Sequence, residues 1–280
     1  MGEAPWSEWV GRSENRRDRI TETPARALAA TLNREQDIPI VPGAALPPIW
    51  IWLYFLPLAP MRDVGADGHP KRGGFLPPIA QPRRMWAGSR CMFHAPLRIG
   101  DDVERTSVIL RITEKSGKAG AMTFVTVRHA VSVAGRPVME EEQDIVYVEI
   151  PARYEPPAPA LLPECQWCEA AAFDPVLLFR YSALTFNGHR IHYDKPYAIE
   201  VERYPGLVVH GPLQATLLFD AAMRRANGRE PAGFAFRSVR PLFAHEPASL
   251  NGRVGDNGAC ELFVANGDAA ITMQATMTWR

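Results

Sequence analysis

The stretch that decides the fold runs from residue 212 to residue 226 and reads Pro-Leu-Gln-Ala-Thr-Leu-Leu-Phe-Asp-Ala-Ala-Met-Arg-Arg-Ala. Its opening proline suits a first helical turn, and the following Asn227-Gly228 suits a left-handed stop, so the stretch predicts a helix. Apolar residues fall on nearly every side of that helix, and such a helix is normally enclosed by other structure. We therefore expect a central helix that other parts of the chain enclose.

Strand-like segments follow this helix, and a similar run occupies the first half of the chain. Both runs are rich in β-branched and aromatic residues and are broken by glycine-containing turns, which is typical of antiparallel strands. The predicted strands are Cys91–Leu97, Val103–Ile112, Ala121–Val133 and Val138–Ile150, then Gly233–Phe243, Ser249–Val254, Cys260–Val264 and Ala269–Trp279. The predicted helices are Pro24–Asn33 and Pro48–Phe55, then Pro175–Ala183 and Pro212–Ala226.

A proline-rich segment separates the two halves. Pro151 to Pro163 contains five prolines and three alanines, as an extended linker would. We therefore predict one domain over residues 1–150, a linker over 151–163 and a second domain over 164–280. A weak repeat, Phe93 to Leu97 against Ser238 to Leu242, leads into the strands of each half and supports two units of one type.

Composition excludes several classes of protein. The 31 basic and 31 acidic residues cancel, so no overall field favours nucleic acid or an anionic membrane. The most apolar early run, Leu46 to Pro60, is far shorter than the ~20 residues that span a bilayer, and Met1 to Arg19 lacks the apolar stretch of an export signal. Cys165 and Cys168 form a Cys-Gln-Trp-Cys unit without a second pair of matching spacing. We expect a soluble cytoplasmic protein with free thiols.

The chemistry is concentrated in one polar cluster. Phe186-Asn187-Gly188-His189-Arg190-Ile191-His192-Tyr193-Asp194 is followed by Tyr204-Pro205-Gly206-Leu207-Val208-Val209-His210-Gly211-Pro212. Three of the seven histidines fall within it. His189 and His192 have the i, i+3 spacing that could place two zinc ligands on one helical face, but no third ligand is evident. We therefore predict no metal.

This cluster resembles the hydratase 2 motif of the MaoC-like hotdog hydratases, Gly-Asp-x-Asn-Pro-Leu-His-x-Asp followed by Phe-Pro-Gly-x-x-Val-His-Gly. The whole chain is similar to the two-domain branch that holds mesaconyl-C4-CoA (3-methylfumaryl-CoA) hydratases and fungal-type mitochondrial 3-hydroxyacyl-thioester dehydratases. Gly74 to Pro78 and Pro82 to Gly88 carry further similarity to that branch. The resemblance implies an α+β fold of two tandem hotdog domains, each a long helix wrapped by a curved antiparallel sheet.

The resemblance also implies roles for individual residues. His192 occupies the position of the catalytic histidine, Asp194 that of the trailing aspartate, and Gly211 that of the backbone N–H that holds the thioester oxygen. The family's catalytic aspartate aligns with Asn187 and its asparagine with His189. Since an asparagine exchanges no proton at neutral pH, we expect His192 to be the single titrating group and Asn187 to hold the water.

Several of these assignments have structural alternatives. Asp194, which precedes Lys195-Pro196, is also a candidate N-cap of a short helix. His189 could support the catalytic residues or be purely structural. His210 is interpreted as a packing residue. The basic pair Arg83-Arg84 is ordinarily a solvated surface, although this branch needs a basic group for coenzyme A phosphates or a substrate carboxylate. Arg190 is a further candidate for that contact.

The resemblance predicts a hydro-lyase that hydrates a branched, carboxylated enoyl-CoA without a cofactor, the coenzyme A thioester being the substrate. The first half lacks the histidine motif and is expected to be a degenerate hotdog, of the type found in fatty acid synthase dehydratases, that widens the acyl channel. A homodimer or a pseudo-dimeric monomer is expected. The alternatives are a dehydratase of fatty acid synthesis and a non-catalytic module that binds acyl-CoA or acyl-carrier protein.

Overall fold

The computed structural model describes residues 6–117, 120–255 and 258–280. These residues fall into two compact units. The first unit comprises Met1–Ala87, His94–Ile150 and Leu184–Gly188, and the second comprises Gly88–Phe93, Pro151–Ala183 and His189–Arg280. Of the predicted turn Gly255-Asp256-Asn257-Gly258, the two central residues lie outside the described part of the chain.

The first unit is built on an antiparallel sheet with one α-helix. Its elements are β1 (Ser13–Arg19), α1 (Glu22–Thr31), the start of β2 (Arg83–Phe93), β3 (Asp102–Gly117), β4 (Gly120–Val133) and β5 (Arg136–Val148), with 3₁₀ helices at Ser7–Trp9, Pro48–Leu53 and Met61–Asp63. Within this unit β1, β3, β4 and β5 lie side by side in that order. Ile109, Val125, Val127 and Tyr147 form part of a buried cluster on this sheet.

The second unit repeats the combination of helix and antiparallel sheet. Its elements are the end of β2, β6 (Trp167–Ala171), α2 (Pro175–Leu184), α3 (Lys195–Glu200), α4 (Gly211–Met223), β7 (Pro231–Ser238), β8 (Ala248–Val254), β9 (Cys260–Asn266) and β10 (Ile271–Trp279), with a 3₁₀ turn at Arg190–His192. The order across its sheet is β2, β7, β10, β9, β8 and β6.

Helix α4 packs against the second sheet and contacts β7, β8, β9 and β10. Eight of its thirteen residues are buried, Leu213, Leu218 and Phe219 among them. Full burial of each such apolar side chain contributes about 1.5–3 kcal/mol. The buried amide of Gln214 is satisfied, since its Oε1 accepts a hydrogen bond from the Thr272 hydroxyl at 2.8 Å. The central helix predicted from residues 212–226 is therefore confirmed.

The observed strands differ from the predicted ones where charged residues interrupt the apolar pattern by which strands are predicted. β1 was not predicted because its sequence, Ser-Glu-Asn-Arg-Arg-Asp-Arg, is polar, yet edge strands commonly carry charges. β2 begins at Arg83 rather than Cys91 for the same reason, since three arginines interrupt it. β6 was also missed, and Pro48–Leu53 is a 3₁₀ helix rather than an α-helix. The predicted α+β class is confirmed.

Candidate active site

The motif between Arg190 and Glu200 folds into one 3₁₀ turn followed by α3. Asp194 is the N-cap of α3, and its Oδ1 accepts a hydrogen bond from the Tyr197 backbone N–H at 3.1 Å. Its other oxygen accepts from Arg190 at 2.7 Å, and this hydrogen bond holds the pKa of the carboxyl below its usual range. The Arg190 guanidinium lies 4.1 Å from the centre of the Tyr197 ring. Both side chains thus brace the turn that carries His192.

His192 is buried, with 7% of its surface exposed. Its Nδ1 lies 2.7 Å from the backbone oxygen of Val208. A carbonyl oxygen only accepts hydrogen bonds, so Nδ1 must carry the proton of the neutral ring and Nε2 must carry the lone pair. This bond joins the two segments of the motif and fixes the basic nitrogen of His192 as Nε2.

His210 lies beneath His192. The two rings stack with centroids 3.6 Å apart and planes 20° from parallel. The Nε2 atom of His210 is hydrogen-bonded to the Ser182 hydroxyl of α2 at 2.8 Å, and Tyr181 contacts the same ring edge-on. Burial, and secondarily the nearby His189, lower the pKa of His210 to about 3. His210 therefore stays neutral near pH 7 and puts no like charge against His192.

His189 approaches His192 from another side. Its ring centroid is 5.5 Å from that of His192 and the planes are nearly perpendicular. Its Nε2 lies 3.7 Å from Oε1 of Glu202, which follows α3 and is 1% exposed. The buried carboxyl group of Glu202 therefore lies next to His189, and the His189 ring lies next to His192.

Gly211, the predicted donor to the thioester oxygen, is the first residue of α4 and is preceded by His210 as N-cap. The first backbone N–H groups of a helix have no partner within the helix and carry its positive dipole end. The predicted oxyanion donor and the stacked histidines therefore meet at one helix start.

The other predicted residues belong to the first unit. Asn187 is half-buried there, and the following Gly188 packs so closely that an added Cβ would lie 2.5 Å from the backbone oxygen of Gly68. Arg83 is 6% exposed and Arg84 is half-buried on β2. The interpretation of this pair as a solvated surface is wrong for Arg83, because its side chain is buried, whereas Arg84 is partly exposed. Arg84 interacts with the Tyr147 hydroxyl and the Pro70 carbonyl.

Sequence reasoning missed Glu202 and Ser182. Glu202 stands in the run Ile199-Glu200-Val201-Glu202-Arg203, which reads as a solvated face, and only tertiary structure buries one of its two acids. Ser182 carried a weak signal, since it is a polar residue in the largely apolar helix α2.

Comparisons with known proteins identify the family of the chain. The family model of hydroxyacyl-thioester dehydratase type 2 matches residues 49–244. The chain belongs to this family. It is 48% identical over 280 residues to the mesaconyl-C(4)-CoA hydratase of Chloroflexus aurantiacus, with 99% of each chain covered.

Solved structures with the same fold identify the fold class of this family member. A MaoC-like dehydratase matches with a TM-score of 0.72 at 14% identity, covering 99% of both chains. A Mycobacterium tuberculosis protein with a double hotdog fold matches with a TM-score of 0.61 at 12% identity, covering 96% of both. The predicted tandem double hotdog and the MaoC-like resemblance are confirmed. The chain is a hydro-lyase of the hydratase and dehydratase type.

No helix in the described part of this family member is long and apolar enough to cross a membrane. Within the same residues, no group of three or more His, Cys, Asp or Glu side chains is arranged to hold a metal ion. All four cysteines are free thiols, and Cys165 donates to the Pro163 carbonyl.

Proposed function

We propose that this protein catalyses the reversible hydration of mesaconyl-C4-CoA to citramalyl-CoA. The carrying observation is the identity of 48% to a mesaconyl-C(4)-CoA hydratase over nearly the whole of both chains. The buried His192, with its lone pair fixed on Nε2, supplies the base that such a reaction requires.

In the proposed mechanism His192 Nε2 takes a proton from water while the water oxygen bonds to the β-carbon of the enoyl thioester. The electron pair of the double bond moves to the α-carbon and the thioester oxygen, where the Gly211 N–H stabilises the enolate. The proton then passes to the α-carbon, which restores neutral His192 and completes the addition of water. The reverse sequence is the dehydration.

We assign the remaining predicted residues to supporting roles. Asn187 holds the attacking water through its amide oxygen without titrating. Asp194 braces the turn that carries His192 through its N-cap and its contact with Arg190. Arg83 and Arg84 are candidates for the substrate carboxylate or the coenzyme A phosphates, because Arg matches such anions in geometry.

Arg190 is a weaker candidate for that anion contact, since Asp194 already engages its guanidinium. We further propose that the reaction uses no metal or cofactor and that the first unit shapes the acyl channel. A cytoplasmic location and a homodimer or pseudo-dimeric monomer stay predictions of the sequence.

The substrate is tested by following absorbance at the conjugated thioester band with mesaconyl-C4-CoA, crotonyl-CoA and a long-chain enoyl thioester. We expect the highest kcat/KM with mesaconyl-C4-CoA. Preference for the long chain would instead favour a dehydratase of fatty acid synthesis. Turnover of none of the three would leave only a binding module.

A further inference from the structure

The pair formed by Glu202 and His189 has no role in a mechanism with His192 as the single titrating group. Both side chains are buried, at 1% and 4% side-chain exposure, and their Oε1 and Nε2 atoms lie 3.7 Å apart. An isolated carboxylate in such a place is strongly unfavourable unless a partner compensates it. His189 is positioned to be that partner.

Stability alone is a poor reason for such a pair. A buried ion pair often contributes no more than well-packed apolar residues of the same volume would, although removing one partner is costly. Buried titratable groups that cluster beside a catalytic base are instead characteristic of functional sites. The His189 ring stands edge-on to His192, with the ring centroids 5.5 Å apart, so the pair adjoins the proposed base.

Four other ionisable groups near His192 in the second unit contribute little net charge. His210 is neutral, because burial lowers its pKa to about 3. Tyr181 beside it is also uncharged, since burial raises the pKa of its hydroxyl. Arg190 and Asp194 neutralise each other through a 2.7 Å contact. The field of the Glu202 carboxylate at His192 is therefore not masked by these groups.

We propose that Glu202 is a positioning residue for hydration: its buried carboxylate holds the His189 ring against His192 and supplies the negative charge that Asn187 lacks. A nearby anion stabilises the imidazolium form that His192 takes after it accepts the proton from water. The chain thus keeps an acidic residue behind its base, but delivers its effect through a second histidine. The inference rests on the proposed hydration reaction and on His192 as its base.

The decisive variant is Glu202→Gln, which keeps the shape of the side chain and removes its charge. We expect kcat with crotonyl-CoA or mesaconyl-C4-CoA to fall roughly 10- to 100-fold, because the imidazolium form of His192 loses a nearby stabilising charge, with KM little changed. The acid limb of log kcat/KM should move to lower pH, because the imidazolium form loses its anion. Glu200→Gln, an exposed neighbour on α3, is the matched control and should leave both unchanged.

A double-mutant cycle separates action through His189 from independent effects. Since Glu202 acts through His189, Glu202→Gln combined with His189→Gln should be no slower than His189→Gln alone. Multiplicative losses would contradict this route. An unchanged pH profile in Glu202→Gln would overturn the proposal even if kcat falls, because a residue that only maintains the fold would not move the profile.

Imidazole ¹⁵N NMR keeps the proposal testable if Glu202→Gln does not fold. The His192 resonances, assigned with His192→Gln, should titrate at lower pH in His189→Gln than in the wild-type protein, because His189 transmits the effect of Glu202. An unchanged titration of His192 would overturn the proposal. This measurement needs no substrate, so it stands even if the wild-type enzyme hydrates neither thioester and the proposed function fails.

Discussion

Replacement of His192 by alanine should separate catalysis from stability. A general base contributes typically ~10²–10⁴-fold in rate, which corresponds to about 2.7–5.4 kcal/mol in the activation barrier. The same change leaves the Val208 carbonyl without its 2.7 Å donor and removes one ring of the stack with His210. An unsatisfied buried polar group costs about 1–3 kcal/mol of folding free energy.

That stability cost translates into a small shift of the melting temperature. With about 2.1 cal/mol/K of unfolding entropy per residue, a chain of 280 residues loses about 2–5 °C for about 1–3 kcal/mol. His192→Ala should therefore remain folded at 25 °C while kcat falls by at least a hundredfold in the absorbance assay. His94→Ala, a part-exposed histidine of the first unit, is the control. A loss of less than fivefold in kcat would refute His192 as the base.

Three further predictions concern Asn187, metal and pH. Asn187→Asp should move the acid limb of log kcat/KM to higher pH by stabilising the His192 imidazolium, and Asn187→Ala should lower kcat roughly 10- to 100-fold; an unchanged profile with full activity in the alanine variant would place Asn187 outside the site. Activity should survive exhaustive chelation, and elemental analysis should find no stoichiometric zinc; one tightly held equivalent would contradict the proposed mechanism. Stability should fall as the pH drops from 6.5 toward 3, because His210 has a pKa of about 3 when folded and near 6.5 when unfolded. In denaturation curves, the free energy of unfolding should fall by about 2 kcal/mol by pH 5 because of His210. His210→Phe should weaken this dependence of stability on pH, and an equal dependence in the variant would contradict the prediction.

The sequence predicts the fold well where the apolar residues of an element are also its buried residues. Helix α4 is identified by apolar residues on nearly all sides, and seven of its buried positions are carbon-rich or small side chains that only an enclosed helix tolerates. β1 escapes prediction because an edge strand pairs on one side and tolerates charge on its outer face. The alternation of its half-buried and exposed residues becomes visible only with the structure.

The site is predictable only in part, because linear motifs report residue identity rather than environment. His192 and Gly211 follow from the family pattern, whereas the partner of His192 is a backbone carbonyl that no side-chain pattern encodes. Glu200 and Glu202 have the same side chain and are two residues apart, yet Glu200 is exposed whereas Glu202 is buried, with 1% of its surface exposed. The turn after α3 makes that difference, and sequence reasoning cannot place it.

The hydrogen bonds that hold the stacked histidines span short stretches of chain, 16 residues for His192 to Val208 and 28 for Ser182 to His210. The entropy of closing a loop grows only with the logarithm of its length, and contacts close in sequence form early during folding. The hydrogen bonds that orient His192 and His210 therefore close short loops, and the chain entropy lost in closing those loops is small.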